Sequence, residues 1–191
     1  SEQFQKIQIL KSKASDKEIR NLITHDNPIL KTCAYQSLIE RSLIKPSEAF
    51  DDALQNNQSF TKMSGCNMGR TDICTEIYFE IVNFYPDSKR EINQMDSLIL
   101  FKMDENHFLQ YMALKDKKYE EVYNDRIINL ALDYHNSSAI FYIVENKIRI
   151  DKPKFKESIK TVIKNGGIGS QPIDRLKRIL VNFDDENKKE N

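Results

Sequence analysis

Apolar residues recur along this chain at the spacing of amphipathic α-helices. Leu30, Ala34 and Leu38, for example, lie four residues apart and therefore share one helical face. Two segments, 58–70 and 102–118, have no clear period, so short helices, loops and short strands all stay open there. Elsewhere the pattern predicts helices near 15–24, 71–85, 88–101, 123–134 and 139–144, and further helices that begin at Pro28, Pro46, Asp151 and Ser170.

Start and stop signals support these helix boundaries. Ser15 with Glu18, and Ser88 with Glu91, match the Ser-x-x-Glu capping box. In that motif each side chain satisfies a backbone N–H that the first turn of the helix leaves without a partner. The glycine pair at 166–167 is typical of the end of a helix.

The segment 71–85 is apolar around most of its circumference. Its polar residues form one narrow strip, which consists of Asp72, Glu76, Glu80 and Asn83. The main apolar face carries Ile73, Ile77, Ile81 and Phe84. A helix with so narrow a polar strip is buried on most sides and needs neighbours on both flanks. The pattern therefore predicts an inner helix of a stack.

Composition also favours an all-α fold. Only five Gly and five Pro occur in 191 residues, too few for a many-stranded sandwich or barrel, which turns about every 8–12 residues. The sequence predicts one helical domain over 1–191, built from stacked antiparallel helix pairs. Within it we expect a regular half at 15–101, helices of irregular arrangement at 102–183, and a polar, frayed tail at 184–191.

The helix that begins at Pro28 resembles the first helix of a HEAT repeat. In that family an Asp-Pro opens the helix, a Val-Arg pair follows, and Ala, a second small residue and Leu come at fixed intervals. The corresponding residues here are Asn27-Pro28, Leu30-Lys31, Ala34, Ser37 and Leu38. The resemblance implies an α-α superhelix, in which small residues let neighbouring helices approach closely.

Residues 15–85 also resemble a group of bacterial proteins with HEAT-like helices. In that group the HEAT-like helix is followed by a Gly-Cys pair and then by another amphipathic helix. Gly65-Cys66 and the segment 73–85 occur in this order here. No second Asn-Pro or Asp-Pro helix start appears later in the chain, so regular repeats are not expected throughout. The resemblance implies a fold and no particular activity.

The histidines do not suggest a metal site. His25, His107 and His135 are scattered, and none has a second His or Cys three or four residues away on the same helix face. His25 and His135 each lie near a predicted helix end, where hydrogen bonding is their expected role. The sequence therefore predicts no metal and no cofactor.

The three cysteines give no clear catalytic signal either. Cys33 and Cys74 fall on apolar helix faces, as expected for small core residues. Cys66 precedes a predicted helix, whose N-terminal dipole lowers the pKa of a nearby thiol, but no base is identifiable for it. Three free thiols are expected, with a Cys66–Cys74 disulfide in an oxidising compartment as the alternative. We predict no catalytic residues.

Charge is balanced overall but not along the chain. The protein has 29 basic and 29 acidic residues, yet positions 146–178 carry ten basic and three acidic side chains. We take six of the ten as a candidate binding face: Lys156, Lys160, Lys164, Arg175, Lys177 and Arg178. The first three lie four residues apart and so share one helix face. The other four are Lys147, Arg149, Lys152 and Lys154.

These patterns favour a non-enzymatic protein-interaction or scaffold module. The alternative is nucleic-acid or phosphate binding through the basic face, which salt would weaken steeply; an ordinary solvated surface and an enzyme that uses Cys66 are the other hypotheses. Apolar runs such as 98–101 are far shorter than the roughly 18 residues of a membrane span. The chain starts at Ser1, so a removed N-terminal signal stays open, as do compartment and oligomeric state.

Overall fold

The computed structural model describes residues 9–64, 67–85, 87–104, 106–115, 117, 120–166 and 169–189. Over these residues the fold is all-α, as the sequence predicts, apart from one small two-stranded sheet. The chain divides into two compact units, Ser1–Met95 and Asp96–Asn191, called the N-terminal and C-terminal units below. The HEAT-like stacking of helix pairs stays a prediction.

The N-terminal unit combines helices with a β-hairpin. A helical turn at 9–13 precedes the first full helix. The elements that follow are α1 (Asp16–Leu22), α2 (Pro28–Glu40), α3 (Pro46–Gln55), β1 (Ser59–Ser64), β2 (Asn67–Asp72), α4 (Ile73–Phe84) and the first part of α5 (Lys89–Lys102). Helices α2 and α4 pack against each other, and α4 also packs against α3.

Side chains fix the starts of α1 and α2 where the sequence places them. The backbone N–H of Ser15 donates to Glu18 Oε2 at 2.8 Å, and the N–H of Glu18 donates back to Ser15 Oγ at 3.3 Å. Asn27 Oδ1 accepts from the N–H of Ile29 at 2.9 Å, and Pro28 occupies the first turn. Each contact satisfies an otherwise orphan N–H group.

The segment 58–70, left open by the sequence pattern, belongs mostly to the antiparallel hairpin of β1 and β2. β2 leads directly into α4. Asp72 has extended backbone angles and accepts from the N–H of Thr75 at 2.9 Å, which makes it the N-cap of α4. The helix predicted from Thr71 therefore begins at Ile73.

A tertiary contact replaces the capping box expected at Ser88 and Glu91. Glu91 Oε2 accepts from Ser47 Oγ at 2.6 Å and from the Ser47 backbone N–H at 3.1 Å. Burial raises the pKa of Glu91, but these hydrogen bonds together with the nearby charges of Lys45 and Arg90 hold its pKa below the ordinary value. Glu91 thus caps the first turn of α3, a partner that sequence spacing within one helix does not predict.

The C-terminal unit is helical throughout its described elements. The last part of α5 is followed by α6 (His107–Lys115), a 3₁₀ turn (Glu121–Tyr123), α7 (Asn124–Leu132), α8 (Ser137–Glu145), α9 (Lys152–Asn165) and α10 (Ser170–Lys189). Helix α6 lies in the segment 102–118 that the pattern left open. None of the described helices in either unit is long and apolar enough to cross a membrane.

A buried polar network ties α6 to α8. Asn136 is fully buried, and its Oδ1 accepts from the N–H of Ala139 at 3.0 Å, which caps α8. Asn136 Nδ2 donates to Gln110 Oε1 at 2.5 Å and lies 3.0 Å from His107 Nδ1. Gln110, also fully buried, donates through Nε2 to the Met103 carbonyl at 2.5 Å. These buried polar atoms therefore have partners.

The end of α9 is where the sequence predicts it, whereas α10 extends further than predicted. Gly166 caps α9 with a φ of +67°, as the glycine pair predicts, while Gly167 lies outside the described residues. Helix α10 continues to Lys189, so residues 184–189 of the expected polar, frayed tail are part of this helix. This stretch is polar, and Glu186, Lys188 and Lys189 within it are good helix formers.

Candidate functional site

A cleft of about 410 Å³ opens in the C-terminal unit beside the connection from α8 to α9. The connection, residues 146–151, forms one side of the cleft, and the end of α8, the start of α9 and the middle of α10 form the others. This volume lies within the range of pockets that bind small molecules or single side chains. We call it the basic cleft.

The floor of the basic cleft is apolar. It consists of the buried side chains Ile143, Phe155 and Ile179 and the partly buried Val144, Ile148, Ile150 and Phe183. The rings of Phe155 and Phe183 meet edge to face, with centroids 5.7 Å apart. Phe155 is fully buried, so the surrounding side chains fix its position in the floor.

The rim of the basic cleft is cationic. Its charged lining residues are Lys147, Arg149 and Lys152, all exposed, and no acidic side chain lines it among the described residues. Neither Lys147 nor Arg149 forms an ion pair within the described part of the chain. Positive charges next to a low-dielectric wall concentrate the local field, so the cleft attracts anions.

The backbone turn after α8 sets the position of Lys147. The N–H of Ile148 donates to the Ile143 carbonyl at 3.0 Å, and the N–H of Lys147 donates to the Val144 carbonyl at 3.3 Å. This pair of bonds is the Schellman motif, which places Lys147 in the left-handed region at a φ of +52°. The following Ile148 is thereby turned back towards the apolar floor.

The six residues of the predicted binding face lie outside the lining of the basic cleft. Lys160 and Lys164 are exposed on α9, and Lys156 is partly buried there. Lys160 pairs with Glu157 at 2.6 Å. On α10, Lys177 Nζ lies 3.7 Å from Asp174.

Arginines on α10 differ in their surroundings. Arg175 donates to Glu145 at 2.5 Å, and its guanidinium lies 4.5 Å from the centre of the Phe141 ring. This residue therefore joins α10 to α8. Arg178 is exposed, and no ion pair is found for it within the described ranges. Neighbouring carboxylates thus neutralise part of the positive charge of the predicted binding face.

Comparison with known proteins adds no relative. No protein-family model matches this chain, and no curated protein or solved structure does so either.

Sequence reasoning counts Lys147 and Arg149 among the basic residues of 146–178 but leaves the segment Lys147-Ile148-Arg149-Ile150 out of the candidate binding face. Basic and apolar residues alternate there, between two predicted helices rather than on one. In an extended connection, alternation sends successive side chains to opposite sides. That pattern could have predicted a basic rim above an apolar floor. Helical spacing predicted a face with Lys156, Lys160 and Lys164 instead.

Among the described residues, Cys33 and Cys74 lie in the core, and one histidine contacts a serine hydroxyl. Cys33 and Cys74 are free and buried, and burial raises the pKa of both thiols. Both are therefore core residues, as predicted. Cys66 lies outside the described residues. His135 Nδ1 lies 3.0 Å from Ser158 Oγ, and no group of three or more metal-binding side chains is found in the part of the chain that the structure describes.

Replacement of Lys147 by glycine should stabilise the protein although it removes a surface cation. A non-glycine residue in the left-handed region costs roughly 1 kcal/mol, which glycine avoids. The matched control is Lys147→Ala, which removes the same charge and keeps the strained backbone. We expect the glycine variant to be more stable than the alanine variant by about 1 kcal/mol in urea unfolding. Equal stabilities would contradict the Schellman geometry at this position.

Proposed function

We propose that this protein is a non-enzymatic interaction module whose C-terminal unit binds an acidic segment of a partner protein in the basic cleft. The observation that supports this most directly is the combination of three rim cations, Lys147, Arg149 and Lys152, with an apolar floor. A peptide with an apolar side chain between acidic residues complements both features. The apolar side chain would enter the cleft, and the carboxylates would lie on the rim.

The same features favour a peptide over a nucleic acid. Nucleic-acid sites follow the phosphate backbone along an extended basic surface and stack bases on exposed aromatic faces. The basic cleft is compact, with a mostly aliphatic floor, and its Phe155 ring is fully buried. A floor of this kind adds affinity for apolar side chains and none for a sugar-phosphate backbone.

The proposal can be tested with a fluorescent synthetic peptide in which a Leu-Phe pair lies between two runs of glutamate. The test variant is Lys147→Glu, Arg149→Glu and Lys152→Glu combined. Exposed ion pairs contribute about 0.2–1 kcal/mol each, so reversing three charges should weaken binding at least about tenfold. Fluorescence anisotropy at fixed ionic strength measures the affinity.

A second triple variant controls for net charge. It combines Lys160→Glu, Lys164→Glu and Arg178→Glu, which changes the net charge equally but leaves the cleft lining intact. We expect the control to bind the peptide within about threefold of the wild type. Equal weakening by both variants would contradict a local site. Tight binding of an oligonucleotide that only the control variant abolishes would instead support the basic face of α9 and α10.

A further inference from the structure

One exposed segment of this chain has the composition of the ligand proposed for the basic cleft. Val122, in the 3₁₀ turn before α7, is 71% exposed. Glu120 and Glu121 precede it and Asp125 follows it, and all three acidic residues are exposed. The segment thus presents an apolar side chain between carboxylates, which complements an apolar floor below a basic rim.

The surroundings of Val122 differ from those of the other exposed large apolar side chains that the structure describes. Met63, Phe101 and Val181, for example, each have a basic residue within three positions. Phe84 has an acidic residue within that distance on one side only. Among these described side chains, Val122 is the one with acidic residues on both sides, and no basic residue lies within three positions of it.

Glu121, Val122 and Asp125 share one face of the helical backbone. The 3₁₀ turn Glu121–Tyr123 continues directly into α7. At helical spacing, positions 121, 122 and 125 fall within about a third of the circumference. The buried side chains Tyr123 and Ile127 lie on the other side. We call the three exposed side chains the acidic ridge.

Both carboxylates of the acidic ridge are uncompensated in the fold. The side chains of Glu121 and Asp125 form no ion pair and no hydrogen bond within the described part of the chain. The nearby cations Lys117 and Arg126 are each paired with another carboxylate. The ridge can therefore bind cations of a partner without giving up an ion pair of its own.

The acidic ridge is held in place within the C-terminal unit. Tyr123, which lies between the ridge residues in sequence, is 9% exposed, and its hydroxyl oxygen lies 2.7 Å from Ser97 Oγ. Its ring centroid is 5.5 Å from that of Phe101, and Arg126 Nε donates to the Leu100 carbonyl at 2.6 Å. No ridge residue lines the basic cleft of the same chain. These contacts would have to break for the ridge to reach that cleft, so a cleft on another molecule is the accessible one.

We propose that the acidic ridge of one molecule binds in the basic cleft of a second copy of this protein. Val122 would enter the apolar floor, and Glu121 and Asp125 would pair with Lys147 and Arg149 on the rim. Two cations and two carboxylates that form no ion pairs in their own fold would then compensate each other. This inference rests on the proposed function and names the partner. The contact is head-to-tail, since the two copies use different surfaces.

Sedimentation velocity of the full chain at a series of concentrations measures this association. We expect the weight-average sedimentation coefficient to rise between roughly 50 µM and about 1 mM, because one apolar side chain and two ion pairs form a small, weak interface. Added salt should reduce the rise, since it screens the exposed charges.

Two variants each remove one side of the contact. The cleft variant is the triple charge reversal at positions 147, 149 and 152, and the ridge variant combines Glu121→Lys with Asp125→Lys. Each alone should associate at least about tenfold more weakly than the wild type, because the paired charges now repel. An equimolar mixture should associate again, since the cleft variant keeps the ridge and the ridge variant keeps the cleft. This recovery would also verify that both variants are folded.

A matched control separates the contact from net charge. Asp26→Lys combined with Asp87→Lys changes two exposed aspartates of the N-terminal unit and alters the net charge as the ridge variant does. This control should associate like the wild type. Val122→Ser keeps the charge and removes apolar surface, so it should weaken the association at least about threefold.

Three results would overturn this proposal. The first is a wild type that stays monomeric at the highest concentration. The second is equal association of the ridge variant and its charge control. The third is a mixture of ridge and cleft variants that associates no better than either alone.

The ridge variant also distinguishes this proposal from the proposed function. Its cleft is intact, so it should bind the glutamate-flanked Leu-Phe peptide like the wild type. Binding of the peptide together with a monomeric wild type would overturn the association between copies alone. No binding of the peptide to the ridge variant would contradict the proposed function instead.

Discussion

Replacement of Phe50 by alanine should destabilise the protein by about 4 kcal/mol. Phe50, on α3, is fully buried, and its ring meets that of Tyr78 on α4 edge to face with centroids 6.4 Å apart. Truncation removes most of a large apolar side chain and leaves a cavity, which typically costs about 3–5 kcal/mol. Urea unfolding followed by far-ultraviolet circular dichroism measures the loss.

The matched control for this change is Phe84→Ala in the same unit. Phe84 is mostly exposed on α4, so its truncation should change the free energy of unfolding by less than about 1 kcal/mol. Similar losses for the two variants would contradict the burial assigned to α3 and α4. If Phe50→Ala lowered the free energy of unfolding less than Phe84→Ala, the contradiction would be stronger.

Replacement of Asn136 by alanine should cost about 3 kcal/mol. The change removes the N-cap of α8, which contributes about 1 kcal/mol, and leaves Gln110 Oε1 without its hydrogen-bond partner in a fully buried site. An unsatisfied buried polar group costs about 1–3 kcal/mol in addition. The free energy of unfolding in urea gives the total.

A double-mutant cycle separates these two contributions. Gln110→Leu removes the partner of Asn136, so the double variant should be less destabilised than the sum of the two single variants. Asn165→Ala, at the exposed end of α9, serves as a surface control and should change the free energy of unfolding by less than about 0.5 kcal/mol. If the losses in unfolding free energy of Asn136→Ala and Gln110→Leu simply added in the double variant, the buried network would be contradicted.

Local signals predict much of the fold because many helix boundaries depend on neighbouring residues. Ser15 and Asn27 cap helices within three positions of themselves, and Gly166 ends α9. Contacts between distant segments are different. Glu91 bonds to Ser47, which is 44 positions away, and nothing in the spacing around Ser88 indicates that choice.

Helical periodicity alone also misplaces residues near element ends. It assigns Phe84 to the same inward face as Ile73, Ile77 and Ile81, but Phe84 is the last residue of α4 and is exposed. The helical period still holds at Phe84, but the neighbouring elements do not cover the last turn of α4. The exposed ring then lines a space between α4 and the hairpin of β1 and β2, which no pattern within α4 predicts.

The candidate sites depend even more on tertiary structure. The excess of basic residues over 146–178 is visible in the sequence, but which of them surround a cavity is not. The basic cleft requires the middle of α10 to lie next to the connection after α8.

The most direct test of the central claim is an NMR titration of the isotope-labelled protein with the glutamate-flanked Leu-Phe peptide. We predict that the largest amide shift changes occur at residues 147–152 and at Ile179 and Phe183, which border the basic cleft. Small changes are expected at Lys160 and Lys164. Changes centred on Lys160, Lys164 and Arg178 instead, or no localised changes at saturating peptide, would contradict the proposed function.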